Sequence, residues 1–335
     1  MDALKIVAIG GGTGLSTLLH GLKRYARSPR EVEITAIVTV TDDGGSSGRL
    51  RRELNILPPG DIRNCMVALS EDEALLSQLF QYRFARGRGL KGHSFGNLFL
   101  TALTNLTGDF AQAVKVSSEI LASLGRIYPS TAENVTLEAE LESGRIVRGE
   151  TRISRSRSPI RRIRLSPRVC KPLPETLQAI AQADLITFGP GSLFTSLIPN
   201  LLVQGIPEAI RRSRALKAFY VNLMWQPGET MGFRASDHVA AINRHVKQPL
   251  IDVAIVNTRT ISVRQRRKYA AEHAHSVVND VDLLERMGLE VVTADLLGEG
   301  DIVRHDPRVA AEVAVALARR GRAGRQKVHI LGELH

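Results

Sequence analysis

The amino-acid sequence predicts an α/β protein built on a doubly wound, mostly parallel β-sheet, and three observations lead to this fold class. Short apolar runs rich in β-branched residues recur along the 335-residue chain. Stretches with helical periodicity separate these runs, and strands that alternate with helices are typical of parallel sheets. Residues 134–165 break the alternation and predict a small antiparallel hairpin insertion.

The predicted elements follow one another in a regular order. Residues 5–9 and 33–40 are nearly continuous apolar runs, as expected of strands buried on both faces. The insertion has predicted strands at residues 135–142 and 145–151 around a Ser-Gly turn, and a third alternating run ends at residue 165. The remaining predicted strands are residues 184–188, 218–223, 251–257 and 291–296. The predicted helices are residues 15–23, 61–69, 72–84, 94–106, 110–124, 174–183, 193–202, 235–245 and 308–319.

Length and composition predict one domain over residues 1–320 and a basic tail over residues 321–335. The apolar fraction of 43% and the charged fraction of 24% are ordinary for globular proteins. No apolar run is long enough to span a bilayer, and the first residues do not have the pattern of a signal peptide. Two cysteines cannot form a disulfide framework. We therefore expect a cytoplasmic protein, and its size is common among homodimers.

The net charge of +11 is concentrated in one segment. Residues 145–168 hold nine arginines and one acid, Glu150. The later part of this segment alternates apolar and charged residues, which favours a strand with one solvated face. Binding of an acidic partner is the alternative. Nucleic-acid recognition is the least favoured interpretation, because the segment has no aromatic residue for base stacking.

A glycine-rich turn joins the first predicted strand to its helix. Residues 10–14 read Gly-Gly-Gly-Thr-Gly, and such a turn presents backbone N–H groups to a phosphate. The spacing does not match the dinucleotide fingerprint, because Leu15 stands where the third glycine is required. It is also not a Walker A loop. The turn predicts phosphate binding, with Thr13 or Ser16 as hydroxyl donors; the alternative is a tight turn that only packs helix on strand.

Polar residues follow the second predicted strand as well. Asp42 and Asp43 suit three roles: holding Mg²⁺ through water, accepting a ribose hydroxyl, or capping the next turn. Residues 44–48 predict a second loop whose N–H groups face an oxyanion, and Arg49 follows it. The alternative is a polar surface loop.

Two further segments begin predicted helices. In residues 58–64, Asp61 is a candidate N-cap, while Arg63 and Asn64 lie where they could reach a phosphate or carboxylate. In residues 92–97, His93 and Asn97 are candidate ligand contacts. A single histidine is more often structural than catalytic.

Residues 189–200 repeat the arrangement of strand, glycine turn and helix, and residues 222–230 place amide and carboxylate groups after another strand. No Ser-His-Asp elbow, Cys-His pair or zinc spacing accompanies them. From the residues alone, the chain is a nucleotide- or phosphosugar-binding protein, with transferase activity left open.

Six segments together resemble the bacterial gluconeogenesis factor family, often called YvcK, which is related to CofD, the 2-phospho-L-lactate transferase of coenzyme F420 synthesis. They are residues 9–16, 40–50, 58–64, 92–97, 189–200 and 222–230. The resemblance implies a Rossmann-like fold and binding of UDP-sugars such as UDP-N-acetylglucosamine. It also implies a role in cell shape and wall synthesis during growth on gluconeogenic carbon sources. By position, Tyr269 and Arg304 resemble the family's nucleotide-sugar contacts.

We therefore predict a UDP-sugar-binding regulator with no catalytic residue assigned; the alternative is a Mg²⁺-dependent transferase of the CofD type, with Asp42 and Asp43 holding the metal. The predicted ligand-binding residues are Gly11, Gly12, Thr13, Gly14, Leu15, Ser16, Asp42, Asp43, Gly45, Ser46, Arg49, Asp61, Arg63, Asn64, His93, Asn97, Gly189, Gly191, Ser192, Asn222, Gln226, Glu229, Tyr269 and Arg304.

Overall fold

The computed structural model describes residues 2–27, 29–71, 75–156 and 158–332, and its centre is a seven-stranded sheet. All neighbouring strands of this sheet run parallel. Its strands are β1 (Leu4–Gly10), β2 (Val32–Val38), β3 (Gly125–Pro129), β7 (Leu185–Phe188), β8 (Leu216–Tyr220), β9 (Val253–Asn257) and β10 (Glu290–Ala294). The order β10-β9-β8-β7-β1-β2-β3 reverses between β1 and β7, which confirms the predicted doubly wound sheet.

Helices cover the sheet. Their bounds are α1 Gly12–Ala26, α2 Gly45–Leu54, α3 Gly60–Leu69, α4 Leu75–Gln81, α5 Phe95–Thr107, α6 Phe110–Ile120, α7 Glu150–Ser154, α8 Pro174–Gln182, α9 Ile198–Leu201, α10 Ile206–Arg212, α11 Ala235–Val246, α12 Val263–Ala270, α13 Val281–Arg286 and α14 Pro307–Gly332. The central strand β1 is nearly all buried: α1 and α14, which pack on each other, contact it, and so do α8 and the π-helical turn Leu193–Leu197. Its apolar run is thus a strand covered on both faces, as predicted.

The predicted antiparallel insertion is present as a second, three-stranded sheet. Its strands are β4 (Thr136–Leu141), β5 (Ile146–Arg148) and β6 (Ile160–Ser166), in the order β5-β4-β6. Alternate residues of β4 and β6 are buried, so one face packs on the protein and the other faces solvent. The buried His245 of α11 ties the insertion to the main sheet by accepting the Ile163 N–H at 3.0 Å.

Several local predictions were wrong, for identifiable reasons. Residues 44–48 are not a loop, because Gly44 is the N-cap of α2 and the helix incorporates residues 45–48. The strand predicted at 145–151 contains only β5, since the chain turns at Gly149 and enters α7. The helix predicted at 193–202 begins as a π-helical turn, Leu193–Leu197, before α9. The edge strand β3 was not predicted, because its five residues lie between a helix and a proline with little periodicity.

The remaining differences from the predicted elements are smaller. Helices α7, α10, α12 and α13 are short and were not predicted. Residues 72–74 of the helix predicted at 72–84 lie outside the described residues, and α4 begins at Leu75. The last helix extends to Gly332, and so includes most of the predicted tail.

In the described part of the chain, no single helix has the length and apolar character needed to cross a membrane. One pair of helical segments, Leu193–Leu201 and Ile206–Arg212, is bent by 76° at the break between them. Together the two segments have the length and apolar composition of a membrane span, and only those two properties support this.

Candidate functional site

Two glycine turns meet where the winding of the sheet reverses. The first joins β1 to α1, and the second follows β7, the strand paired with β1. A side chain at Gly14 would bring its Cβ within 2.4 Å of the Pro190 carbonyl oxygen, so only glycine allows the turns to pack. Gly12 has φ of +61°, a conformation that glycine adopts without strain. The turns border a cavity of about 280 Å³, the glycine-turn cavity.

Amide side chains complete the wall of the glycine-turn cavity. Asn222 donates from Nδ2 to the Gly191 carbonyl at 2.9 Å, and Gln226 donates from Nε2 to the Ser192 hydroxyl. The oxygens Asn222 Oδ1 and Gln226 Oε1 are buried and accept no hydrogen bond in the described part of the protein. Buried acceptors are normally satisfied, so these two oxygens suit a ligand that carries N–H or O–H donors.

A larger cavity of about 1000 Å³, the α1 groove, adjoins the first. Its floor is one stripe of α1 that includes Thr13, Ser16 and His20. Arg63 lies in its wall, and Arg304 borders both cavities. Arg304 is exposed, and its guanidinium has no partner among the described residues. The two cavities therefore provide one continuous polar channel past the start of α1.

Asp61 lies directly beneath the first glycine turn. It is not the N-cap, because α3 begins one residue earlier after Pro59. A Cβ at Gly11 would lie 2.7 Å from Asp61 Oδ2. Burial and the charge of Asp42 raise the pKa of Asp61 to about 7, although the Gly12 N–H and Arg63 oppose this rise. The carboxyl therefore changes protonation near neutral pH.

Asp42 and Asp43, which are adjacent in the sequence, have different roles. Asp42 Oδ1 accepts the Gly44 N–H at 2.8 Å, which is the capping role considered from the sequence. Asp43 Oδ1 accepts both the N–H and the hydroxyl of Thr151, at 2.8 and 2.7 Å. Asp43 thus anchors the insertion to the edge of the main sheet.

The described residues of this region provide only some of the ligands that a divalent cation needs. No cluster of three or more His, Cys, Asp or Glu side chains suited to a metal ion occurs in the described residues. Mg²⁺, however, usually takes one or two carboxylates and completes its shell with water and phosphate oxygens. Asp42 accepts one hydrogen bond and Asp43 accepts two, in both cases through Oδ1, and neither Oδ2 accepts a hydrogen bond from a described residue, so each keeps one oxygen for a cation.

The sequence did not single out Glu150 as a site residue, yet it joins the carboxylates beneath the turns. Glu150 accepts a weak hydrogen bond from the Thr41 hydroxyl at 3.4 Å. Burial and then the charges of Asp61 and Asp42 raise its pKa well above the ordinary value. Its position as the one acid in an arginine-rich segment was the available signal.

Glu229 is buried beside this group. It accepts the Thr195 hydroxyl at 3.1 Å and the Ser154 hydroxyl at 3.2 Å. Burial raises its pKa, although these two hydrogen bonds oppose the rise. Since Ser154 belongs to the insertion, Glu229 provides a third attachment of the insertion, after His245 and Asp43.

Four other predicted residues pack around α2. Ser46 Oγ is 2.9 Å from His93 Nδ1, and Asn97 donates to the Ser47 hydroxyl at 3.4 Å. Arg49 donates to the Lys91 carbonyl at 2.7 Å. Burial lowers the pKa of His93, and Arg49 adds to the effect. These contacts hold α2 against the start of α5.

The predicted residues therefore divide between the cavity walls and their surroundings. Those lining the two cavities are Gly11, Gly12, Thr13, Gly14, Ser16, Arg63, Asn64, Gly191, Ser192, Asn222, Gln226 and Arg304. Those lining neither are Leu15, Asp42, Asp43, Gly45, Ser46, Arg49, Asp61, His93, Asn97, Gly189, Glu229 and Tyr269. Tyr269 lies outside both cavities, and its hydroxyl accepts the Val303 N–H at 3.0 Å, next to Arg304.

Comparison with known proteins gives a consistent result. The family model described as 2-phospho-L-lactate transferase CofD matches residues 6–297. A gluconeogenesis factor of Bacillus subtilis is 49% identical over 314 residues, which cover 93% of this chain and 98% of that protein. A gluconeogenesis factor of Halalkalibacterium halodurans is 48% identical over 313 residues, covering 93% and 96%. A crystal structure of a Bacillus halodurans protein has a TM-score of 0.90 at 47% identity, covering 94% and 99%.

Proposed function

The chain belongs to the CofD family, and we propose that it is a gluconeogenesis factor that binds a nucleotide sugar of the UDP-N-acetylglucosamine class. In this proposal the ligand regulates the protein and is not transformed. The protein then supports cell shape and wall synthesis on gluconeogenic carbon sources. The names of the relatives support the gluconeogenic role.

The observation that carries the ligand proposal is the pair of glycine turns packed on each other at the switch point of the sheet. The N–H groups of the first turn of α1 lack partners within the helix, and they carry its partial positive charge. A diphosphate beside this turn would receive the Thr13 and Gly14 N–H groups, because the Gly12 N–H already donates to Asp61, with Arg304 as a charged donor at the border between the cavities.

The unpartnered amide oxygens favour a nucleoside and a sugar at the ends of that diphosphate. Asn222 Oδ1 and Gln226 Oε1 are suited to the imide N–H of uracil or to ribose hydroxyls. The glycine-turn cavity of about 280 Å³ is small for a whole nucleotide sugar, and the adjoining α1 groove supplies the remaining space.

Calorimetry with UDP-N-acetylglucosamine tests the proposal. We expect saturable binding by the unmodified protein and binding weakened about 10-fold or more by Arg304→Gln, because a hydrogen bond to a charged group contributes about 1.5–3 kcal/mol. Arg286→Gln is the matched control, since this arginine is also exposed and lines neither cavity. No heat at millimolar ligand with folded protein would refute the proposal.

A second candidate function is a Mg²⁺-dependent transferase of the CofD type, supported by the family model and by the acids beneath the glycine turns. When bound, Mg²⁺ would neutralise phosphate charge near Asp42. Incubation with Mg²⁺, a guanylyl-phospholactate donor and a deazaflavin acceptor should then yield product, and the yield should fall in Asp42→Asn. Absence of turnover together with tight UDP-sugar binding would favour the regulator.

A further inference from the structure

Arg63 and Arg83 line the α1 groove, and neither has an acidic partner among the described residues. Arg63 donates to the adjacent Asn64 Oδ1 at 2.7 Å, and Arg83 donates to the Gly92 carbonyl at 2.6 Å. Neither guanidinium forms a salt bridge with a described residue. Both line the groove, and neither belongs to the glycine-turn cavity.

The surroundings of Arg63 make this arrangement unfavourable without a ligand. The side chain is half-buried, and its Nε is fully buried with no hydrogen-bond partner. Burial lowers its pKa, and the positive charge of Arg83 lowers it further, against the opposing charges of Asp61 and Asp42. Arg63 is a half-buried cation that loses part of its hydration and gains only the Asn64 hydrogen bond in return, so an anion held by Arg63 and the exposed Arg83 would relieve the deficit.

From this unpaired cluster and the cavity beside it, we propose that Arg63 and Arg83 form an oxyanion subsite for a phosphate or carboxylate group. The planar guanidinium of arginine suits either group, because its N–H donors match two oxygens at once. Asn64 lines the same wall and adds an amide.

The rest of the groove indicates what accompanies the anion. Across from the arginines, the segment that connects β10 to α14 contributes Glu299, Asp301 and Asp306 to the lining. Arg304 lies in the same segment and Asp301 pairs with Arg264 at 3.0 Å, so this wall is mixed in charge, and its carboxylate oxygens accept hydroxyl donors. The floor adds the hydroxyls of Thr13 and Thr17. The ligand is therefore a small anion with several hydroxyl groups, such as a sugar phosphate or a hydroxy acid.

Titration of the full chain with inorganic phosphate at constant ionic strength tests the subsite. We expect saturable binding by calorimetry and a rise in melting temperature. Arg63→Gln and Arg83→Gln should each weaken phosphate binding about 10-fold or more. Arg88→Gln should leave it unchanged, because Arg88 is exposed in the same loop but does not line the groove. Unchanged phosphate binding in both groove variants, with circular dichroism showing that they are folded, would overturn the proposal.

A second arm removes the contribution of the glycine turns. Gly12→Ala strains the left-handed backbone at φ +61° and adds a methyl group to the glycine-turn cavity. The difference in phosphate affinity between the protein with both arginines and the two arginine variants should persist when each also carries Gly12→Ala. If it disappears, phosphate binds at the glycine turns and the groove subsite is refuted.

A third arm distinguishes the two sources of the anionic group. If the group belongs to the ligand held at the glycine turns, UDP-glucuronate should bind more tightly than UDP-glucose, and Arg83→Gln should abolish the gain. If it belongs to a separate metabolite, phosphate should still bind to protein saturated with UDP-glucose. Where neither UDP-sugar binds, the proposed function fails, yet the phosphate titration still decides the subsite.

Discussion

Asp61 and Arg63 stand two residues apart in the first turn of α3, yet they belong to regions of opposite charge. Asp61 faces an acidic side, with Asp42 and Glu150, beneath the glycine turns. Arg63 faces a basic side, with Arg83, in the α1 groove. Neither Asp61 nor the two arginines form a salt bridge with a described residue. One helix start therefore separates two regions that a ligand or an ion would complete.

The two sides differ in how they respond to their unbalanced charge. Carboxyl groups bind protons, and the pKa of Asp61 is already near 7. A guanidinium keeps its proton throughout the accessible pH range. The acidic side therefore adjusts through pH or a cation, whereas the basic side is relieved by an anion. This difference gives the two regions separate experimental signatures.

The largest expected change in stability comes from a substitution on the acidic side. The folded-state pKa of Asp61, about 7, exceeds its ordinary value of 3.8, so between these pH values the folded protein retains a proton that the unfolded chain has lost. The free energy of unfolding therefore falls as pH rises from about 4 to about 7, and this loss is complete above about 7. Asp61→Asn should raise stability at pH 8 by at most about 4 kcal/mol, at about 1.4 kcal/mol per pKa unit.

Urea unfolding at several pH values measures this effect. The gain should shrink as the pH falls towards 3.8 and vanish below it, where Asp61 is protonated in both states. Glu150 and Glu229 also have raised pKa values, so some pH dependence should remain in the variant. Glu285→Gln, an exposed change, is the control. A gain that does not vary with pH would contradict the assignment of Asp61.

A smaller change in stability is expected from a substitution where the insertion binds Asp43, next to the acidic side. Thr151→Val keeps the side-chain shape and the backbone hydrogen bond but removes the hydroxyl bond to Asp43. We expect a loss of about 1–3 kcal/mol, as for other hydrogen bonds to charged groups, measured by urea unfolding. The exposed helical change Thr107→Val should cost less than about 0.5 kcal/mol. Equal effects of the two changes would argue against Asp43 as an anchor.

The smallest effect on stability is expected on the basic side. Removing one partner of a buried ion pair usually costs about 3–5 kcal/mol. Arg63 has no such partner among the described residues, and Arg63→Gln also removes repulsion from Arg83. The free energy of unfolding should therefore change by less than about 1 kcal/mol without added anions. A loss of about 3 kcal/mol would reveal a structural role and break the contrast with the acidic side.

The parallel sheet, the alternating helices and the antiparallel insertion could be predicted because each has its own periodicity or turn chemistry. Alternation along β4 and β6 revealed the insertion, and the run in β1 revealed a strand buried on both faces. The short elements β3 and α7 escaped prediction, because five residues are too few to establish a period. Their structure depends on packing against the rest of the protein.

For the site, the sequence determined which segments follow strands, and parallel strands bring their carboxyl ends to one edge. The glycine turns and the amides of Asn222 and Gln226 were found in this way. Only the tertiary structure decided that Asp43 binds the insertion, that Glu150 joins the carboxylates, and that Arg83 lies beside Arg63. The physical reason is range: backbone and periodic signals act between near neighbours in the chain, whereas charge and burial depend on residues that only the folded chain brings together.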